Sequence, residues 1–498
     1  MATIASPVEA SSKVTEFVKK PRKMLINGQW VEAASGKTFD TYNPATGEVL
    51  AKVAEGDRED IDRAVKAARK AFEEGPWPDM KPAERAKLIW KLADLIDQHR
   101  DELAELETLD NGKPVLFSRI VDVPTCSANF RYFSGWATKV EGNTIPISMP
   151  GGKYFAYTLR EPVGVAGQII PWNFPLIMAS LKLAPALAVG CTVVLKPAEQ
   201  TPLTALRLGE LIQEAGFPAG VVNIVPGYGE TAGAALAAHP DVDKVAFTGS
   251  TEVGRLILSA ATGNLKKVSL ELGGKSPNII FGDAGLNCAI QGAANAIFFN
   301  QGQVCAAGSR LFVHKSIFDK VVGGVADATK KFHIGPGIDP ATTLGPLVSQ
   351  EQLDRVTGYM DSGFKDGAKA TIGGNKMKGP GYFFEPTILV DVRPEMKVVR
   401  EEVFGPVVAA TPFTEPEEIV KSANQTHYGL ASGIWTRDLS TAHKVASKLR
   451  AGTVWINCYH VFDAAMPFGG YRQSGWGREG GHSTLELYTE TKAVCAQL

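Results

Sequence analysis

The chain has 498 residues, 44% hydrophobic and 21% charged, a composition that excludes intrinsic disorder and leaves room for about three domains. Its 52 Lys and Arg nearly cancel its 53 Asp and Glu without forming a basic stripe, which argues against nucleic acid as a partner. No apolar run is long enough to cross a bilayer, which argues against a membrane partner as well.

In chain order, the opening "MATIASPVEASSKVTEFVKK" lacks the apolar stretch of a signal peptide, and its two glutamates argue against a transit peptide. It reads as a loose polar arm, and a cytoplasmic location is expected. Apolar residues recur at helical spacing over Ile61–Glu74 and over Pro82–Gly112. The second segment reads as one helix, opened by Pro82 and stopped by Asn111-Gly112. Glu141–Pro162 and the tail "TLELYTETKAVCAQL" look like β-ribbon or edge strands.

From about residue 163 short apolar strands ("VGVAGQII", "CTVVLK", "VVNIVPG", "DKVAFTG") alternate with helical segments, which predicts a parallel sheet covered on both faces. A second alternating series follows Gly274, with strands at "SPNIIFG" and "SRLFVH" and helices at "LNCAIQGAANAIFFNQ" and "SIFDKVVGGVADATKKF". The fold class is therefore α/β with two such units.

The six cysteines are scattered, none at CxxC spacing, as expected of free thiols in a reducing compartment. The histidines form no HExxH or HxH cluster, and Cys458 with His460 cannot alone complete a zinc site. Metal dependence is not supported.

Several stretches carry possible chemistry, each with a plainer alternative. "VPGYGETAG" spaces Gly227, Gly229 and Gly233 as GxGxxxG after a strand, a loose likeness to the dinucleotide fingerprint that any α/β turn could show. "VAFTGSTEVG" places Gly249-Ser250 between a strand and a helix, where free N–H groups would suit a pyrophosphate. Lys196 and Glu199 follow a strand; an acid there would bind ribose hydroxyls and favour NAD over NADP, or be a solvated loop charge. Glu271 in "VSLELGG" is either a general base or a salt-bridged structural acid. In "PWNFP", Asn173 is an oxyanion donor or a helix cap. Cys305, in "NQGQVCAAGSR", is core filler or a nucleophile, whose thiolate a helix beginning just after it would favour.

Taken in order, "PWNFP", "KPAEQTP", "FTGSTEVG", "LELGGKSP", "NQGQVC", "EEVFGPV" and "PFGGYRQSGWGRE" resemble the NAD(P)-dependent aldehyde dehydrogenase superfamily over nearly the whole chain. The resemblance implies a Rossmann-like cofactor domain (12–140 and 163–274), a catalytic domain (275–484) and oligomerisation segments (141–162 and 485–498) of a homo-oligomer, a tetramer favoured over a dimer. It implies NAD as cofactor, Cys305 as nucleophile, Glu271 as the base that activates water, and Asn173 with the Cys305 N–H as the oxyanion hole. Cofactor contacts would come from Ile169, Trp172, Lys196, Glu199, Gly229, Gly249, Ser250, Glu402 and Phe404.

By the same resemblance Phe174, Ile177, Met178, Leu181, Phe299, Val304, Phe462 and Phe468 would line the aldehyde tunnel, with His460 near its mouth. That lining suits a hydrophobic aldehyde and poorly suits a cationic one. Many relatives carry Trp where Leu181 stands, so a wider tunnel is expected. Val304 and Ala306 replace the second cysteine some relatives carry beside the nucleophile. The N-terminal text and "RYFSGWATKVEGNTIPIS" resemble bacterial phenylacetaldehyde dehydrogenases of aromatic catabolism. Oxidation of phenylacetaldehyde to phenylacetate is the expected reaction. The alternatives are a broad aliphatic aldehyde dehydrogenase, a coenzyme A-acylating enzyme and a non-catalytic relative.

Overall fold

A computed structural model describes residues 9–498. Its first sheet has eight strands. In order these are Gly475–Trp476, Lys267–Glu271, Lys244–Thr248, Val165–Ile169, Thr192–Lys196, Val222–Ile224, Met24–Ile26 and Gln29–Val31. The five from Lys267–Glu271 to Val222–Ile224 run parallel, and the three remaining strands pair antiparallel at the margins. Burial on both faces explains why these strands read as unbroken apolar runs.

Register brings the strand ends level: Ile169 lies beside Lys196 and Phe247, and Thr248 beside Glu271. The chain leaves Val165–Ile169 for Thr192–Lys196 on one side, whereas Lys244–Thr248 flanks it on the other. A crevice opens at such a reversal of strand order, outside the carboxyl ends, and that is where α/β sheets bind ligands.

The second sheet has seven strands: Lys369–Ile372, Thr387–Val390, Val407–Phe413, Arg310–His314, Pro277–Ile280, Ala431–Trp435 and Thr453–Ile456, all parallel except the first. Residues 272–276 are the only chain between Glu271 at the end of one sheet and Pro277 at the start of the other. The segment expected to be catalytic also returns one strand, Gly475–Trp476, to the first sheet, opposite Leu270 and Glu271. A third, antiparallel sheet joins Thr144–Ile145, Tyr154–Pro162 and Thr489–Gln497, as the two β-rich segments led us to expect. No helix among the described residues is long and apolar enough to cross a membrane.

Two expectations need correction. Residues 1–8 of the expected polar arm lie outside the described residues, but Ser12–Lys19 is a helix that buries Val14. The helix expected over 82–112 is two, Pro82–Gln98 and Arg100–Asn111, because His99 leaves helical geometry at φ −101°, ψ 22°. The expected stop holds: Gly112 adopts φ +92°, which favours glycine.

Helix Pro175–Val189 is apolar nearly all round and packed on nearly every side. Beside it lies a dry charge cluster: Lys113 donates to Asp122 (2.6 Å) and lies 3.6 Å from Glu107, all three buried. Lys113 also donates to the Asn173 carbonyl at 3.1 Å and sits 4.3 Å from the Phe174 ring centroid. One lysine thus faces two carboxylates, and burial holds Glu107 up at about 7, Lys113 opposing and Asp122 adding to the rise. Between the ordinary carboxyl value and about 7 the folded chain holds a proton that the unfolded chain has lost, so this group lowers stability as pH rises through that window. Lys113→Met is expected to cost about 3–5 kcal/mol by stranding buried charge. Denaturant unfolding should show a larger loss at pH 8 than at pH 6; an equal loss at both would contradict the assignment.

Candidate active site

Cys305 stands in a turn between helix Leu286–Phe298 and strand Arg310–His314. No helix starts after it, so the expected dipole assistance to its thiolate is absent; the chain enters a strand instead. The loop is held in an unusual shape. Asn300 and Gln301 adopt φ +46° and +56°, and Gly302 adopts φ +72°, where any Cβ would collide with the Gly405 carbonyl. Left-handed backbone at non-glycine residues persists only where surroundings fix it. Here the Gln303 Oε1 accepts from Val348 N–H at 2.9 Å, and the Tyr459 hydroxyl donates to the Ala306 carbonyl at 2.9 Å.

Asn173 is fixed at both ends. Its carbonyl accepts from Asn300 Nδ2 (2.9 Å), Lys113 Nζ (3.1 Å) and Asn111 Nδ2 (3.4 Å). Its own Nδ2 donates to the Gln303 carbonyl at 2.9 Å, two residues before Cys305. An amide nitrogen carries two hydrogens, so one is left after this bond. The capping alternative fails, because the following helix begins after Phe174 without a side-chain cap.

Glu271 ends its strand almost wholly buried, with neither carboxylate oxygen hydrogen-bonded among the described residues. Burial raises its pKa well above the ordinary value; the Glu479 charge adds to this, while Lys182 and Arg478 oppose it. Lys182 and Glu479 form an ion pair, and Lys182 also donates to Thr248 Oγ1 at 2.7 Å. Sequence reasoning missed this group. Its one signal is a lysine amid the apolar run "LIMASLKLAPALAV". Burial also raises the Cys305 thiol pKa, with the charges of Glu271 and Glu402 contributing.

Two cavities meet at Cys305. One, of about 410 Å³, occupies the crevice at the strand ends and contains every cofactor residue named from sequence, with Asn173 and Glu271. Ile169 and Lys196 form its sheet floor in register. Lys196 pairs with Glu199 at 2.8 Å, and burial lowers the lysine pKa against the pull of that glutamate. Ser250 caps helix Thr251–Ala261 by accepting from Val253 N–H at 3.2 Å, and Gly249 N–H donates to the Glu271 carbonyl at 3.0 Å. Gly229 leaves open space where a side chain would project. Trp172 meets Phe404 edge-on at 5.2 Å, and Phe404 holds φ +59°. Glu402 accepts from Gly274 N–H at 2.9 Å, and burial raises it to about 7. Gln352 and Arg355, unnamed from sequence, donate to the carbonyls of Phe404 (2.6 Å) and Glu402 (3.0 Å).

The other cavity, of about 180 Å³, is lined by all nine residues named for the tunnel. Ile177, Met178 and Leu181 reach it from one helix at spacings that share a face, with Phe174 immediately before the helix start. Phe299, Val304, Phe462 and Phe468 complete the apolar wall, and Phe299 stacks on Phe174 at 6.0 Å. Val121, Thr125 and Asn129 were missed because they come from another helical stretch whose pattern reads as plain core. His460 is partly exposed beside the exposed Val461 and Phe462, but both its ring nitrogens are buried without a hydrogen-bond partner among the described residues.

A sequence profile of the aldehyde dehydrogenase family matches residues 30–494. Human mitochondrial aldehyde dehydrogenase is 53% identical over 98% of this chain and 96% of its own. Aldehyde dehydrogenase family 2 member B4 of Arabidopsis thaliana is 52% identical over 96% and 88%. The structure of the NAD⁺ complex of Bacillus cereus aldehyde dehydrogenase superimposes with TM-score 0.97 at 54% identity, over 99% of this chain and all of that one. With its motifs, fold and paired cavities alike, this chain belongs to the aldehyde dehydrogenase family.

Proposed function

We propose that the chain oxidises a hydrophobic aromatic aldehyde, phenylacetaldehyde or one much like it, to its carboxylic acid with NAD⁺. The observation that carries this reading is that Cys305 belongs at once to an aromatic-walled cavity and to the crevice at the sheet's switch point. The crevice suits a dinucleotide: parallel strand ends, a capped helix N-terminus at Ser250, open space at Gly229, and Glu199 to accept from ribose hydroxyls. Trp172, Glu402 and Phe404 would hold its far end. Bound there, NAD⁺ supplies the hydride acceptor and a positive charge that favours the Cys305 thiolate.

Cys305 attacks the aldehyde carbon, and the second Asn173 N–H with the Cys305 backbone N–H steadies the oxygen's developing charge. Oxidation of the resulting thiohemiacetal leaves a thioester on Cys305. Glu271 then takes a proton from water, which attacks the thioester and releases the acid. A dry, unpaired carboxylate with a raised pKa suits that role better than a structural one, since a structural acid would have its partner in place.

The assignment of 12–140 and 163–274 to the cofactor domain and of 275–484 to the catalytic domain belongs to the same proposal, with residues 475–476 crossing between them. The third sheet exposes Ile145, Phe155 and Leu159, and the loop between its first two strands exposes Ile147 and Met149, which supports 141–162 and 485–498 as an oligomerisation ribbon of a homotetramer.

Replacing Glu479 with Gln removes a charge that raises the Glu271 pKa and frees Lys182 to lower it. The acidic limb of thioester hydrolysis, followed in single turnovers, is then expected to move down by on the order of one pH unit; an unmoved limb would exclude Glu271 as the base. The substrate is tested by NADH formation from phenylacetaldehyde, benzaldehyde, short and long alkyl aldehydes and betaine aldehyde. The aryl aldehydes are expected to lead in kcat/KM. A lead for alkyl chains would retain the chemistry and reject the aromatic substrate.

A further inference from the structure

Away from Cys305, a groove of about 620 Å³ lies beside the end of strand Tyr154–Pro162, larger than either cavity at the nucleophile. Phe72, Pro78, Pro82, Val140, Pro162 and Val189 give it apolar walls. Three cations, Lys81, Arg85 and Arg160, also line it, and no acid does. No residue of the proposed mechanism takes part in it.

Arg85 stands on the first turn of helix Pro82–Gln98, half-buried. Its guanidinium lies across bare Gly190, where a Cβ would stand 3.5 Å from Cζ. Nη1 donates to the Met80 carbonyl at 2.7 Å, Nε is buried without a partner, and Nη2 stays accessible without one among the described residues. Neither Arg85 nor Lys81 has a carboxylate within 4.0 Å among the described residues. Burial lowers the Arg85 pKa, opposed by Cys191 and by no carboxylate. Helix Pro175–Val189 ends at Gly190, and its dipole favours a cation there, but that leaves Nη2 unanswered.

The nearby acids are engaged elsewhere or stand off. Glu84 turns back to accept from the Lys81 N–H at 3.0 Å. Glu486 lies 3.8 Å from Arg160, beyond a hydrogen bond, and its side chain is 63% exposed. A half-buried guanidinium with no acid beside it calls for an anion from outside the chain. The planar fork of arginine matches a carboxylate, and the apolar walls call for a body to cover them. A cation would be repelled, and a small inorganic anion would leave the walls wet.

We propose that this groove is a second ligand site, which binds a carboxylate carried on an apolar body. The carboxylate lies among Arg85, Lys81 and Arg160, with the body along the apolar walls. Aldehyde oxidation releases acids of this class, so the groove takes up product away from the active site. Through Arg160 the occupant also ties strand Tyr154–Pro162 to helix Pro82–Gln98.

The test is calorimetric titration of the whole protein with phenylacetate, hexanoate, acetate and inorganic phosphate. Phenylacetate or hexanoate is expected to bind about tenfold or more tighter than acetate or phosphate. Arg85→Gln should weaken that binding about tenfold or more, by removing a charge-assisted bond. Lys81→Gln and Arg160→Gln, nearer the surface, should each weaken it about two- to fivefold. If Arg85→Gln does not fold, the double variant Lys81→Gln with Arg160→Gln decides in its place. Leu181→Trp, which narrows the aldehyde cavity, separates the two sites: binding in the groove persists in it. Binding lost in Leu181→Trp but kept in the groove variants would place the acid at Cys305 and overturn the proposal. So would no binding at all, or acetate and phosphate binding as tightly as the larger acids.

Discussion

The bond from Asn173 Nδ2 to the Gln303 carbonyl ties the loop leaving the first sheet to the loop that carries Cys305. The rest of the site depends on it. Asn173 could not hold this position alone; Asn111, Lys113 and Asn300 converge on its carbonyl from three parts of the chain. Behind them the Lys113 cluster takes up charge deep in the core, where an unmatched group would be costly. The loops around Cys305 are held by these buried polar bonds, while the strand ends place Glu271.

Dryness is the second determinant. Glu271, Glu402 and Cys305 all have pKa values raised by burial, so the site resists carrying negative charge. A thiolate there has no helix terminus to lean on, since Cys305 is followed by a turn and a strand. In the proposed mechanism, stabilisation of the thiolate comes from groups brought to it when the crevice is occupied. Cys126 and Cys191 are likewise raised by burial, but they lie in the core outside the lining of both cavities.

Much of this was legible in the sequence, for local reasons. The strand–helix alternation after residue 163 follows from short-range patterning, and the tunnel residues on helix Pro175–Val189 fall at spacings that a helix places together. What was hidden depends on partners far along the chain. The ion pair of Lys182 and Glu479 joins residues 297 apart. The break at His99 and the left-handed run at Asn300 and Gln301 are imposed by packing against local preference. A helix after Cys305 would have favoured its thiolate, but the chain passes by a turn into strand Arg310–His314, where "SRLFVH" reads as a strand. His460 was visible as a residue but its aromatic surroundings were not, since they include Phe299 from a distant loop.

Whether Cys305 carries the acyl group and Glu271 releases it is decided by Glu271→Gln mixed with NAD⁺ and phenylacetaldehyde. NADH formation and intact protein mass would be followed together. One NADH per active site is expected, then arrest, with an acyl adduct on the peptide containing Cys305. Sustained turnover at the wild-type rate, or an adduct on another residue, would contradict it.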